Sequence, residues 1–248
     1  MTEILYKYLD AKGGLLMLKN HNLQFTNATQ LNDPFDCHPG LIDYSDACTR
    51  EAEVWGKKLV EEVETSHAKN LRDDSWICSL SKNNNSMLMW SYYGNHKGIC
   101  IGLNREKTKA CLSTITQTIY IGALEMEVQY KDIIEKPDYF RDRLDFLKYQ
   151  LSTKAIDWAH EQEVRFLLID PWPASVPHHP AFVDYIGTHV FHDLSPDCFE
   201  SLYFGGKVDE KTRKEIIKVA KKLNPNIKIY RMRLDPLAFR LKAILIEP

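Results

Sequence analysis

Glu161-Gln-Glu163-Val-Arg165-Phe-Leu-Leu-Ile169 is the stretch on which the reading of the fold turns. In an extended chain Glu161, Glu163 and Arg165 share one face, while Gln162, Val164, Phe166 and Leu168 share the other. A run ending in Phe-Leu-Leu-Ile belongs in a core, and ionised groups are seldom set against a core without partners. The two carboxylates and the guanidinium therefore form either a buried ion-pair brace or the wall of a site. Upstream, Lys154, Trp158 and Glu161 fall at i, i+4 and i+7. That spacing predicts one stripe of a long helix, residues 138–160, running into the strand.

Outward from this junction, strands are predicted at 4–9, 23–26, 76–81, 98–103, 198–204 and 227–234. A bent pair or hairpin is expected from 118–121 and 124–130 around Gly122. Gly13-Gly14 reads as a break before a short helix at 15–18, and further helices are expected at 45–70, 87–93 and 210–223. Ser86 and Asp209 are the expected N-caps of the last two. Residues 170–197 read as irregular, with one strand near 188–191. Helices that interrupt strands without a steady βαβ rhythm predict a single α+β domain over residues 1–248.

The 248 residues carry 32 Lys and Arg against 34 Asp and Glu, a net charge of -2. Near-neutral balance gives no global case for nucleic-acid or membrane binding, and leaves a local basic patch open. Met1-Thr-Glu-Ile lacks a secretory leader's basic region, and no apolar run approaches the roughly 20 residues that span a bilayer. The six cysteines show no CxxC, which fits reduced thiols in a cytoplasmic protein.

Each candidate for chemistry has a structural reading beside the functional one. In Asn32-Asp33-Pro34-Phe35-Asp36, an Asx-turn with Phe35 plugging the core explains the string; a rigid loop delivering Asn32 or Asp33 into a cleft is the alternative. Ser79 and Ser81 share a strand face and either satisfy loop backbone groups or donate to a ligand. Trp90 and Tyr93, one helical turn apart, are core residues or a ligand platform, with His96 just beyond as a titratable group. Lys154 and Arg165 either neutralise Glu161 and Glu163 or tune one of them for catalysis, with Glu163 favoured for its place beside Arg165. His178, His179, His189 and His192 with Cys198 fit no zinc spacing, so no metal is assigned. GxGxxG, GxxxxGK[ST] and GxSxG are absent.

Tyr6-Lys-Tyr8, Phe25-Thr, Asn32-Asp-Pro-Phe-Asp36, Cys78-Ser-Leu-Ser81, Met89-Trp-Ser-Tyr-Tyr93, His96-Lys-Gly98, Lys154…Trp158…Glu161-Gln-Glu163-Val-Arg165 and Tyr203-Phe-Gly205 occur in that order. Together they resemble, across essentially the whole chain, the bacterial family known as domain of unknown function 2971. A looser similarity is to ADP-ribosyltransferase-like domains, carried by Tyr6/Lys7/Tyr8, Ser79/Ser81 and Glu161/Glu163, with Lys7 where those domains place His or Arg. That similarity implies a mixed or antiparallel split sheet with flanking helices and a cleft that takes NAD as substrate, with no required cofactor. It also implies an NAD- or nucleotide-processing enzyme acting as a toxin or a phage-defence effector. Glu163, Glu161 and His96 would be catalytic. Tyr6, Lys7, Asn32, Asp33, Ser79, Ser81, Trp90, Tyr93, Lys154 and Arg165 would bind a small-molecule or nucleotide ligand. The alternative is a non-catalytic ligand-binding or regulatory module in which the Glu/Arg row is a brace.

Overall fold

The computed structural model describes residues 3–43, 71–113, 123–139, 142, 144–169, 184–186 and 189–247. β1 (Ile4–Leu9) leads into α1 (Ala11–Asn20), whose N-cap Asp10 accepts from Gly13 N. Gly13-Gly14 does not break the chain but lies inside this helix. A Cβ on Gly14 would sit 2.2 Å from Ile99 Cδ1, so the bare backbone is what lets α1 close on the sheet. His21, in the left-handed region, ends α1 and turns the chain into β2 (Asn22–Asn27).

β3 (Ser75–Ser81) is followed by α2 (Met87–Tyr92), capped by Ser86 as expected, and by β4 (Ile99–Asn104) and α3 (Arg105–Ser113). Then come β5 (Leu124–Glu127), β6 (Gln129–Lys131), α4 (Leu144–Ser152), β7 (Thr153–Ala155), a 3-10 turn (Ile156–Glu161) and β8 (Glu163–Ile169). β9 (Asp184–Ile186), β10 (His189–Asp193), β11 (Phe199–Phe204), α5 (Glu210–Leu223), β12 (Lys228–Leu234) and β13 (Leu241–Glu247) complete the chain. The helix expected at 45–70 and the first half of the bent pair near 118–121 lie outside the described residues, as do His178 and His179.

The main sheet runs β13-β12-β11-β4-β1-β3-β2-β10-β9, with β8 on β3 and β5 on β8. β11 and β12 are parallel and the other pairs in this sheet antiparallel, so the architecture is α+β with a mixed sheet, as the sequence predicts. Its centre is a fork. β8 covers one edge of β3 throughout, from Ser75↔Ile169 to Ser81↔Glu163. The other edge is shared: β1 touches β3 only at Tyr6↔Ser81, and β2 only at Thr26↔Ile77 and Asn27↔Trp76. Between those contacts the strands diverge, and Lys7 Nζ reaches in to donate to Ser79 O at 2.9 Å. A backbone acceptor that a ladder would have used is thus satisfied by a side chain.

One core lies under α1 and α5 and includes Leu5, Leu18, Phe25, Ile101, Phe166, Leu202 and Ile216. A second, on Tyr8, Trp90, Cys100, Tyr203 and Met232, fills the opposite face. Two further expectations fail here. Among the described residues of 138–160 the expected long helix is α4 alone. At Thr153 the chain becomes extended, pairs β7 with β6 in parallel, and reaches Glu161 through the 3-10 turn. Phe35 does not plug the core, being 57% exposed, while Asp33 Oδ1 makes the expected Asx contact with Phe35 N at 2.9 Å. β13 is a strand that the sequence reading left unassigned.

Candidate functional site

The break in helix after α4 is what assembles the site. β7 holds Lys154 beside β6, and the 3-10 turn swings the chain back. Lys154 Nζ then lies 2.6 Å from Glu161 Oε2, 3.3 Å from Glu163 Oε2 and 4.8 Å from the Trp158 ring centre. Gln162 takes φ 44 and converts the turn into β8. Ser81 Oγ donates to Glu161 O at 2.6 Å, Lys82 N donates to Gln162 O at 2.9 Å, and Glu163 N donates to Tyr130 OH at 2.8 Å. The Glu161–Glu163 backbone is therefore tied to both neighbouring segments.

Arg165 sits deeper, fully buried. Its two terminal nitrogens bind the two oxygens of Asp36 at 2.7 Å, Nε binds Glu163 Oε1 at 2.9 Å, and Nη1 also donates to Leu151 O at 2.7 Å. Lys154 Nζ completes the network at 3.7 Å from Asp36 Oδ2. Three carboxylates thus face two cations, and the two glutamates are treated differently. Burial alone would raise the Glu163 carboxyl, but Arg165 and then Lys154 outweigh it and lower the group to about 2. Glu161 is raised by burial, which Lys154 only partly offsets, with Glu163 adding repulsion. Lys154 is itself pushed up: burial opposes its charge, but Glu163, Asp36 and Glu161 together prevail.

Glu161 is the member of the network that reaches open space at the fork. A cavity of about 500 Å3 is walled by Lys7, Gln30, Asn32, Tyr92, Tyr93, Trp158 and Glu161. A hollow of about 40 Å3 continues inward past Tyr6, Ser79 and Ser81 to Glu163. The Tyr93 phenol is pushed up to about 12, first by burial and then by the negative charge of Glu161 and Glu163.

The structure therefore brings together Tyr6, Lys7, Asn32, Ser79, Ser81, Tyr93, Lys154, Glu161, Glu163 and Arg165. It does not bring Trp90, which is 2% exposed in the second core, with Nε1 donating to Asn84 O at 2.8 Å and its ring edge-on to Tyr8. Nor does it bring His96, which lines a separate hollow with Lys207 and Arg231. Asp33 is buried in its own turn, away from the cavity wall. Sequence reasoning missed Asp36, although it closes the Asn32–Asp36 string. A buried arginine that must find a second carboxylate is the signal that points to it. Tyr92 and Gln30 were also missed, because nothing in their spacing separates them from surface residues.

The class defined by fold and site is an α+β protein with a forked mixed sheet, whose fork opens on a buried ion network. At the level of family, residues 89–166 match the model described as Protein of unknown function (DUF2971). The match is shorter than the whole-chain resemblance in the sequence motifs. It takes in Tyr92, Tyr93, Lys154, Trp158, Glu161, Glu163 and Arg165, and leaves out Lys7, Asp36 and Ser79. No curated protein and no solved structure matches the chain. No helix among the described residues is long and apolar enough to cross a membrane.

Proposed function

We propose that the fork of the sheet binds NAD or a closely related nucleotide, and that Glu161 is the carboxylate that meets the reacting centre. The observation that carries this reading is the position of Glu161. It is a buried carboxylate in the wall of a 500 Å3 cavity, flanked by Tyr92, Tyr93 and Trp158. Aromatic faces and an anion suit a planar cationic ring, which the nicotinamide of NAD supplies. When the nicotinamide–ribose bond breaks, its electron pair leaves with the ring, and positive charge develops on the sugar as in glycoside cleavage. A carboxylate held beside the ribose stabilises that charge, and the oxygen of a water or hydroxyl acceptor then forms the new bond as its proton passes to solvent. Lys154 would orient Glu161 and partly offset the effect of burial on its charge, and Lys7, in the cavity wall, would offer a cation to a phosphate.

Glu163, favoured from the sequence, fits this role less well because Arg165 and Lys154 engage both of its oxygens. With Asp36 and Arg165 it suits the brace, so the two readings of the Glu/Arg row divide between its members. The test is titration of the protein with NAD and ADP-ribose by calorimetry, with nicotinamide release followed in parallel. Binding that Glu161→Gln weakens at least tenfold, or cleavage that it abolishes, supports the reading. No binding of either ligand at millimolar concentration would refute it.

A further inference from the structure

Two of the motifs singled out in the sequence, His96-Lys-Gly98 and Tyr203-Phe-Gly205, take no part in the fork, yet they meet each other. Gly205 N donates to Gly98 O at 3.0 Å, and Lys207 N donates to His96 O at 2.9 Å. A Cβ on Gly205 would lie 2.3 Å from His96 O, so only glycine allows this approach. Opposite it, Asn95 and His96 both take left-handed backbone, at φ 49 and 60. Successive non-glycine residues in that region cost free energy, and such strain is typical of sites that hold a loop in one shape.

The result is a hollow of about 560 Å3 outside the fork. Three cationic side chains from two elements line it beside His96: Lys207 from the turn, and Arg231 and Arg233 from β12. Arg231 Nη2 donates to Gly206 O at 3.1 Å, which fixes the guanidinium against the turn. No carboxylate lines the hollow among the described residues. Cations gathered without a counter-charge repel one another and create a local positive potential. Leu234, which is exposed, supplies apolar surface in the same wall.

The geometry points to a binding site for a nucleoside phosphate, either free or as part of single-stranded nucleic acid. The phosphate would take donors from Lys207, Arg231 and Arg233, and the base would lie on the apolar wall. The site is separate from the cavity of Glu161 and does not rest on the function proposed for it. It also locates the local basic patch that the near-zero net charge conceals.

The experiment uses the full chain at 50 mM salt. Labelled oligothymidylate is followed by fluorescence anisotropy, and AMP and inorganic phosphate by calorimetry. Lys207→Ala/Arg233→Ala is the test variant, since it leaves the Arg231 bond to Gly206 in place, and circular dichroism checks its fold. The double variant is expected to weaken nucleotide binding at least tenfold and, for the oligonucleotide, to make the salt dependence shallower by roughly 1.4 in log–log slope. Lys218→Ala, which removes a charge from the exposed face of α5 outside the hollow, should leave both unchanged. Tighter binding of oligothymidylate than of AMP identifies nucleic acid as the source, and the reverse identifies a free nucleotide. Equal affinity in the wild type and double variant, or no advantage of AMP over inorganic phosphate, would overturn the proposal.

Discussion

Arg165 and Asp36, 129 positions apart, are joined by two parallel 2.7 Å hydrogen bonds, one from each terminal guanidinium nitrogen to each carboxylate oxygen. This pair fastens the turn after β2 to the strand that carries Glu163. Both residues are essentially without solvent contact, so each charge depends on the other. Truncating one side strands the other in a low-dielectric interior. Arg165→Met is therefore expected to destabilise the protein by about 3–5 kcal/mol, measured by urea unfolding at pH 7. A loss below about 1 kcal/mol, the range of an exposed pair, would show that the pair does not brace the fold.

Glu161→Gln should behave differently. The substitution removes a carboxylate whose burial already opposes its charge, from a network with more acids than bases. Lys154 keeps Glu163 at 3.3 Å and Asp36 at 3.7 Å. Unfolding free energy is expected to change by less than about 1 kcal/mol, or to rise, well short of the several kcal/mol lost when a buried charge is stranded. The same variant should lose the thermal stabilisation by NAD that the proposed function predicts for the wild type. A large stability loss would return Glu161 to the brace.

The two glutamates also separate in their pH dependence. Glu163 is lowered to about 2 from an ordinary 4.5, so its contribution to stability is present above 4.5 and is lost as pH falls toward 2. Glu161 is raised, so its contribution is present below 4.5 and is lost as pH rises through its folded value. In Glu163→Gln the fall in stability between pH 4.5 and 2 should flatten. In Glu161→Gln it is the decline above pH 4.5 that should flatten. Urea midpoints across pH 2–7 for the three proteins test both signs at once.

Most strands were legible because their residues alternate or cluster between clear turn signals: 4–9 matches β1 in full, and Asp209 caps α5 as expected. The error over 138–160 has a specific cause. Lys154, Trp158 and Glu161 have helical spacing, but they meet through a strand and a 3-10 turn, because Lys154 is drawn between the buried carboxylates. Trp90 and Tyr93 have the spacing of one helical face, yet Tyr93 is the C-cap beyond α2, so one faces the core and the other the cavity. His96 looked like a neighbour of the site because it follows α2 closely. The tight loop with left-handed Asn95 and His96 instead carries it toward Lys207. The fork itself depends on which residues of β3 each neighbour touches, and such long-range register has no local signature.

Paired glycine substitutions at the Gly205-Gly206 turn separate close packing from mere turn chemistry. A Cβ at position 205 would meet His96 O at 2.3 Å and Gly98 O at 3.1 Å, both backbone atoms that cannot rotate away. At position 206 the nearest atom is Met232 O at 3.4 Å, an ordinary contact. Neither glycine has the left-handed φ that would itself demand glycine. Gly205→Ala must push the His96 loop off the turn and is expected to cost about 1–3 kcal/mol or more. Gly206→Ala should lie within about 0.5 kcal/mol of wild type, as most surface changes do. Because the His96 loop and the Lys207 turn form one wall of the basic hollow, Gly205→Ala should also weaken AMP binding there, while the NAD binding proposed at the fork should be unaffected. Urea unfolding and calorimetry on the two variants measure these effects, and equal stability losses would show that the turn is not held by the approach of its neighbour.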